Sequence, residues 1–423
     1  MLEVIDAIAA TPGTLDKVAL LAQHNCEELR RVLVAAYDTR LRYYIIDPEM
    51  PSGAGIHDLG DDTWCLLAKL SNRQAGRKEL LEHMMGLNPS AQELLRRVIN
   101  KDLRADIGDS LINRAIPGLI YQPTYMRCST VNEVDLRLWP WTSGVFSQEK
   151  LDGMFVNIDY LGDAVVLHTR QGHVFDSAYF KELINDIKGV LKEGVQYHGE
   201  LMLEPIVGGP FMARKTSNGI FNSCLKKGTG IPEGYRPVAI LWDIKDSSMF
   251  YLDRYNFVKE LCEKTTLKTI RLVPTKMAAS HAEALEHFKE ITAAGGEGSV
   301  VKKAYFLWRD GTSRDQVKLK KEATCELRVT GYKPGKGAFA ATFGSLECIS
   351  EEGDLVVNVS GFTEAERQMI WNNIDDYMFN VITVKFESVS QDKKGKYSLS
   401  QPRFEELRLD KDDADTLDYI KGL

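Results

Sequence analysis

The sequence predicts a multidomain protein with an all-α N-terminal part, an α+β middle part and a C-terminal part built as a small β-barrel. Three observations lead there. Apolar residues recur at helical spacing through the first part of the chain; from Val145 short β-type runs alternate with helical ones; and beyond Lys321 short runs are separated by glycine-rich turns. A chain of 423 residues is also too long for one core, since domains average roughly 150 residues.

In the first part Leu15, Val18, Ala19, Leu29, Leu33 and Val34, and later Leu94, Leu95, Val98 and Ile99, fall near the helical period, and strand alternation is scarce. The segment 121–141 breaks that pattern; Pro123 and the triplet Trp139-Pro140-Trp141 suit a linker leading into the next domain. The middle part holds strand-like runs at 155–160 and 237–242 and a helix with Phe180, Leu183, Ile184, Ile187, Val190 and Leu191 on one face. Another helix opens at Ser280 with Glu283 three residues on, the spacing of a capping box, in which side chain and backbone cap each other. In the last part a turn at 331–337 separates strands, and Thr363 with Glu366 opens a single helix in the same way. The expected domains are 1–128, 129–322 and 323–423.

Apolar residues at 44% and charged residues at 27%, with no low-complexity tract, describe a chain folded throughout. The start, Met1-Leu2-Glu3-Val4, lacks the basic residues of a secretory signal, and no apolar run reaches the length of a membrane span, so a cytoplasmic protein is expected. Seven scattered cysteines without a C-x-x-C pair disfavour a disulfide framework or a four-cysteine zinc site. A net charge of −7 argues weakly against a nucleic-acid partner. Local clusters argue the other way: Arg96, Arg97, Lys101 and Arg104; Lys318, Lys320 and Lys321; Lys393, Lys394 and Lys396. Each cluster alone suits a solvated face.

The chemistry starts at Lys150-Leu151-Asp152-Gly153, just before a predicted strand, where glycine permits a tight turn and lysine and aspartate are presented together. An ordinary lysine, with a pKa near ~10.4, is protonated at neutral pH and becomes a nucleophile only beside other cations or when desolvated. Further along, Gly199-Glu200 and Glu297-Gly298 each set a carboxylate beside a glycine at a strand end. Two inward carboxylates suit a hard cation such as Mg²⁺, although either alone would be a solvated residue. Lys318-Leu319-Lys320 puts two ammonium groups on one strand face, because side chains alternate with period two; such a pair can hold phosphate.

Taken in order, these stations resemble the motif series of the covalent nucleotidyltransferases, and most closely the ATP-dependent DNA ligases of T-even-type bacteriophages. Lys150 to Gly153 is similar to the first motif, Thr169 to Gly172 to the next, then Gly199-Glu200, Trp242-Asp243, Glu297-Gly298, Lys318 to Lys320, and finally 403–411. The stretches 97–104 and 116–120 resemble the helical DNA-binding domain of these enzymes, so the likeness spans the chain. It implies an adenylyltransferase domain followed by an OB-fold. It also implies ATP and Mg²⁺ as cofactors, nicked double-stranded DNA as partner, action as a monomer and no membrane.

By the same resemblance Lys150 is the catalytic nucleophile that takes AMP. Gln148, Glu200, Trp242, Arg314, Lys318 and Lys320 bind the nucleotide, with Trp242 stacked on adenine. Arg408, Asp410 and Lys411 engage the β- and γ-phosphates. Asp152, Glu200 and Glu297 hold the metal. Arg170 grips the 5′-phosphate at the nick, and Arg96, Arg97, Lys101 and Arg104 bind DNA. One position departs from the family pattern, since Phe155 stands where an arginine normally contacts the ribose.

Capping guanylyltransferases and RNA ligases share much of this series, but the helical N-terminal part argues against both. An NAD-dependent ligase would carry a four-cysteine zinc module, which the cysteine spacing does not offer. A non-catalytic nick-binding clamp would need a damaged first motif, and here its lysine, aspartate and glycine are all present.

Overall fold

Amphipathic helices need an apolar neighbour, and the N-terminal ones find each other. The computed structural model describes residues 1–264, 269–392 and 394–423, so Lys393 lies outside the described residues. In it α1 (Leu2–Ala10), α2 (Thr14–Gln23), α3 (Glu27–Tyr37), α4 (Asp61–Ser71), α5 (Arg77–Gly86), α6 (Pro89–Ile99) and α7 (Asp109–Ala115) surround one core. Ile5, Ile8, Leu33, Leu95, Val98 and Ile112 are its buried centre. Asn88 caps α6 by accepting from the Ala91 amide at 2.9 Å, and Pro89 sits at the first helical position, where its missing N–H costs nothing.

The middle region runs β1 (Met126–Thr130), β2 (Val145–Glu149), β3 (Met154–Leu161), β4 (Ala164–His168), α8 (Lys181–Val190), β5 (Val195–Pro205), α9 (Arg214–Lys227), β6 (Tyr235–Ile244), α10 (Tyr251–Glu263), β7 (Ile270–Leu272), β8 (Thr275–Ala278), α11 (His281–Ala293), β9 (Gly298–Lys303) and β10 (Gly311–Lys320). Its strands make two five-stranded sheets, ordered β1-β10-β9-β2-β8 and β4-β3-β5-β6-β7. Part of the segment read as a linker is β1, which pairs in parallel with β10, about 185 residues onward. Local sequence carried no sign of so distant a partner. Ser280 caps α11 as expected, but Glu283 reaches back to the Ala279 amide, so the reciprocal half of the capping box is displaced by one residue.

Residues 1–319 form one compact unit, and residues 320–423 a second. Within the first, the helical region is tied to the middle region by Thr39 Oγ1 donating to the Gln171 carbonyl at 2.8 Å and Arg42 to the Leu225 carbonyl at 2.7 Å. The second unit is β-rich: β11 (Ala323–Pro334), β12 (Phe343–Ile349), β13 (Val356–Val359), α12 (Glu364–Asn372), α13 (Ile374–Tyr377), β14 (Val381–Phe386), the hairpin β15 (Ser388–Gln391) and β16 (Tyr397–Ser400), β17 (Arg403–Arg408) and α14 (Leu417–Gly422). Its main sheet is ordered β13-β12-β11-β14-β17. Thr363 and Glu366 form the full capping box at the start of α12. Among the described residues no helix is long and apolar enough to cross a membrane.

Candidate active site

Lys150 leaves the end of β2, a strand hydrogen-bonded on both edges, to β8 and β9. Its own amide donates to the Gly298 carbonyl at 2.9 Å, which anchors the loop to the start of β9. Its Nζ then donates to Glu297 Oε2 at 2.5 Å, so two motifs 147 residues apart meet atom to atom. Gly298 is demanded twice over: its φ is +144°, and a Cβ there would lie 2.2 Å from the Leu319 carbonyl oxygen.

Gly153 has a different reason to be glycine. A side chain there would come within 2.7 Å of the Leu201 carbonyl oxygen on β5, so close approach of two backbones excludes even alanine. That approach lets the Gly153 amide donate to Glu200 Oε1 at 3.1 Å. Asp152, turned outward on the same loop, pairs with Arg214 at the start of α9, at 2.7 Å.

Around this loop lies a cavity of about 270 Å³. Gln148, Lys150, Arg170, Glu200 and Trp242 line it, so five of the residues singled out from sequence share one space. A larger hollow of about 440 Å³ in the helical region, walled by Val34, Leu41, Trp64 and Leu67 with Glu27, Arg30 and Arg31 beside them, holds none of those five. Phe155 closes one wall of the smaller cavity: its ring meets Tyr125 edge-on at 4.6 Å and lies 5.8 Å from Trp242. An aromatic edge therefore replaces the cation of the family pattern. The Arg170 guanidinium lies 5.3 Å from the centre of the Tyr125 ring, a cation–π contact.

Burial biases the ionisable groups here. It pushes the Glu200 carboxyl up to about 8, with the Lys150 charge opposing the rise and Glu297 adding to it. It brings the Lys302 ammonium down to about 8 and the neighbouring His198 down to about 4. The Cys128 thiol is also raised by burial, against the pull of Lys302, Lys150 and Lys318, so three lysines converge on that part of the wall.

Arg314 and the DNA-binding candidates of the helical region do not line this cavity, and Lys320, Arg408, Asp410 and Lys411 belong to the second unit. Arg314 is exposed on β10 and donates to the Glu133 carbonyl. Lys320 is ion-paired with Glu387 at 2.9 Å. Also in that unit, Arg408 bridges Glu326 at 2.8 Å and Asp410 at 2.7 Å, while Lys411 stands 3.5 Å from Glu326. In the helical region Arg96 and Arg97 both hold Glu93, Arg97 also holds Asp6, and Lys101 donates to the carbonyls of Ala35 and Asp38. Arg104 is the exposed member of that cluster, 4.0 Å from Glu93.

Sequence reasoning missed Tyr125, Cys128 and Arg214 as cavity residues, and Lys302 although it stands four residues beyond Gly298. The period-two alternation from Val300 could have found Lys302, since both residues point to the same side. Among the described residues no group of three or more metal-ligating side chains is gathered.

No family profile matches the chain. The DNA ligase of Enterobacteria phage T4 is 24% identical over 100% of this chain and 98% of its own length. This chain is a homologue of the ATP-dependent DNA ligases, within the nucleotidyltransferase superfamily. A DNA ligase of Methanospirillum hungatei JF-1 is 27% identical over 36% of this chain and 31% of its own. The ligase fold itself is matched by the solved structure named Pmar-Lig_Pre, with a TM-score of 0.67 and 20% identity, covering 96% of this chain and 99% of that one. A structure from a study of Lig E DNA ligases reaches a TM-score of 0.50 at 21% identity, over 68% of this chain and all of the other.

Proposed function

We propose that this chain is an ATP-dependent DNA ligase of the T-even phage type, which seals nicks between a 5′-phosphate and a 3′-hydroxyl through AMP carried on Lys150. One observation carries the reading: the Lys150 ammonium, which lines the cavity together with Gln148 and Trp242, donates to Glu297, the carboxylate of a second motif. The end-to-end likeness to the phage T4 DNA ligase supports the subfamily.

In the proposed sequence the Lys150 amine gives a proton to Glu297, attacks the α-phosphorus of ATP and displaces pyrophosphate. Trp242 and Phe155 sandwich or edge the base, and Arg170 holds the 5′-phosphate that next takes the AMP from Lys150. The 3′-hydroxyl then attacks that phosphate and AMP leaves. Glu200 and Glu297 fit a Mg²⁺ arriving with ATP, because a buried carboxyl raised by its own desolvation and by a like charge is relieved by a cation; bound there, the ion would offset phosphate charge. Asp152 joins that set on releasing Arg214. Lys318, Lys320 and Arg314 are assigned to the nucleotide by resemblance.

The order of strands in the second unit, with α12 between β13 and β14 and a parallel bridge from Ser360 to Arg403, supports an OB-fold reading. Its Arg408, Asp410 and Lys411 are proposed to serve the ATP β- and γ-phosphates, Arg408 exchanging Glu326 for phosphate. The helical region is proposed to supply nick affinity, with Arg104 on a backbone phosphate and Arg96, Arg97 and Lys101 shaping the turn that presents it. Incubation with α-labelled ATP or GTP in parallel, followed by a nicked duplex, tests the whole reading. A ligase takes label from ATP and releases it as AMP on sealing; label from GTP alone, or none, overturns it.

A further inference from the structure

The hydrogen-bond partners of Gln148 determine which end of its amide faces which neighbour. Gln148 is buried and lies opposite Thr275 in the β2–β8 ladder. The Thr275 hydroxyl donates its single proton to the Val273 carbonyl at 2.9 Å, so toward Gln148 its oxygen can only accept. The amide end 3.2 Å from that oxygen is therefore the nitrogen. The amide oxygen then faces Tyr251, whose hydroxyl lies 2.9 Å away and donates to it. Lys302 donates to the same hydroxyl oxygen at 3.1 Å, which turns the single tyrosine proton away from the lysine, to be shared between the Gln148 amide oxygen and the Trp242 carbonyl at 3.0 Å. A glutamine amide is otherwise free to turn over, since its two ends have nearly the same shape.

We infer that Thr275 and Tyr251 are specificity-determining positioning residues, which lock the Gln148 amide so that the nucleotide site accepts a 6-aminopurine and rejects a 6-oxopurine. With the amide held, Gln148 has one lone pair left on its oxygen and one N–H left on its nitrogen. That acceptor–donor pair matches the amino group and adjacent ring nitrogen of adenine. A 6-oxopurine presents the reverse pair, and a flipped amide would match it equally well. Neither Thr275 nor Tyr251 touches the nucleotide in this scheme; each acts through Gln148.

The inference rests on the reading of the cavity as the ATP site. The test is the rate of nucleotide transfer to Lys150 from α-labelled ATP and from α-labelled inosine triphosphate, measured on one preparation so that any loss of folded protein cancels in the ratio. The wild-type protein should prefer ATP. Tyr251→Phe and Thr275→Val should each lower the ATP-to-inosine ratio of kcat/KM about tenfold, mostly through KM, because a net hydrogen bond no longer opposes the flip. Thr275→Ser, which keeps the hydroxyl, should restore the wild-type ratio. An unchanged ratio in both the phenylalanine and valine variants overturns the lock while leaving the ATP site standing. A wild-type protein that labels equally from both nucleotides overturns the lock together with the assignment of Gln148.

Discussion

Two groups of cations in this molecule look alike in sequence and differ in what surrounds them. Arg96, Arg97 and Lys101 are turned inward on carboxylates and backbone carbonyls of their own region. Lys150, Arg170, Arg214 and Lys302 face a cavity, and of these Lys150 and Arg214 are held by carboxylates from distant parts of the chain. Lys101 and Lys302 make the contrast sharpest. Burial brings both amines down to about 8, yet one closes a turn at a residue with φ +56° and the other lines a site. A lowered lysine thus reports burial, and only its surroundings report a role.

The largest effect that would separate the two groups is expected at Lys150. Lys150→Ala should abolish transfer of label from α-labelled ATP; label retained at the wild-type level would remove the cavity group's claim to chemistry. Next come its carboxylate partners. Glu200→Ala and Glu297→Ala should each slow adenylation on the order of a hundredfold in single-turnover labelling, since each removes a group aimed at the reacting centre. A loss in either variant that is matched by an equal fall in melting temperature and folded fraction would point to structure instead.

Lys101→Ala should cost about 1–2 kcal/mol in urea unfolding, through two lost hydrogen bonds in a left-handed turn, and Lys101→Gly less, because glycine adopts that φ freely. Neither should change labelling of Lys150. A variant as stable as the wild type would place Lys101 with the functional cations. In the same region Arg104→Ala should reduce the salt slope of nicked-DNA binding by about one, while a slope left intact would remove it from the phosphate contacts.

A smaller effect should appear in stability against pH. The folded Glu200 carboxyl, raised to about 8, holds its proton where the unfolded chain has lost it, so stability falls as pH rises toward 8. His198, lowered to about 4, has the opposite slope, but only below the ordinary histidine range near ~6.5, and Lys302 acts above 8. Between about 6.5 and 8, Glu200 is left to dominate, at no more than about 1.4 kcal/mol per pH unit. Glu200→Gln should flatten the melting temperature across that window; an unchanged slope would mean the carboxyl is already ionised in the folded protein.

Much of this was legible early because the motifs are local. Lys150-Leu151-Asp152-Gly153 and Glu297-Gly298 each write a glycine near the reactive side chain, although what excludes a side chain there is the backbone of Leu201 and Leu319, brought close by the fold; helix starts such as Thr363 with Glu366 are written in a four-residue code. The strand β1 was hidden because, among the described residues, its strand partner is the distant β10, and nothing near residues 126–130 encodes that pairing.

The amino-acid order alone determined which residues could do chemistry: a lysine beside Asp-Gly, two carboxylates each beside a glycine, a tryptophan at the end of an apolar strand. It also determined the succession of helical, mixed and β-rich regions, because periodicity is a property of neighbours along the chain. Tertiary structure alone decided which of those groups meet. Whether Lys150 finds Glu297, whether Lys101 is spent on Ala35 and Asp38, and which end of Gln148 faces Tyr251 all depend on contacts between residues far apart in sequence. A hydrogen bond is selective over a few tenths of an ångström, and no spacing in a sequence measures a distance through the fold.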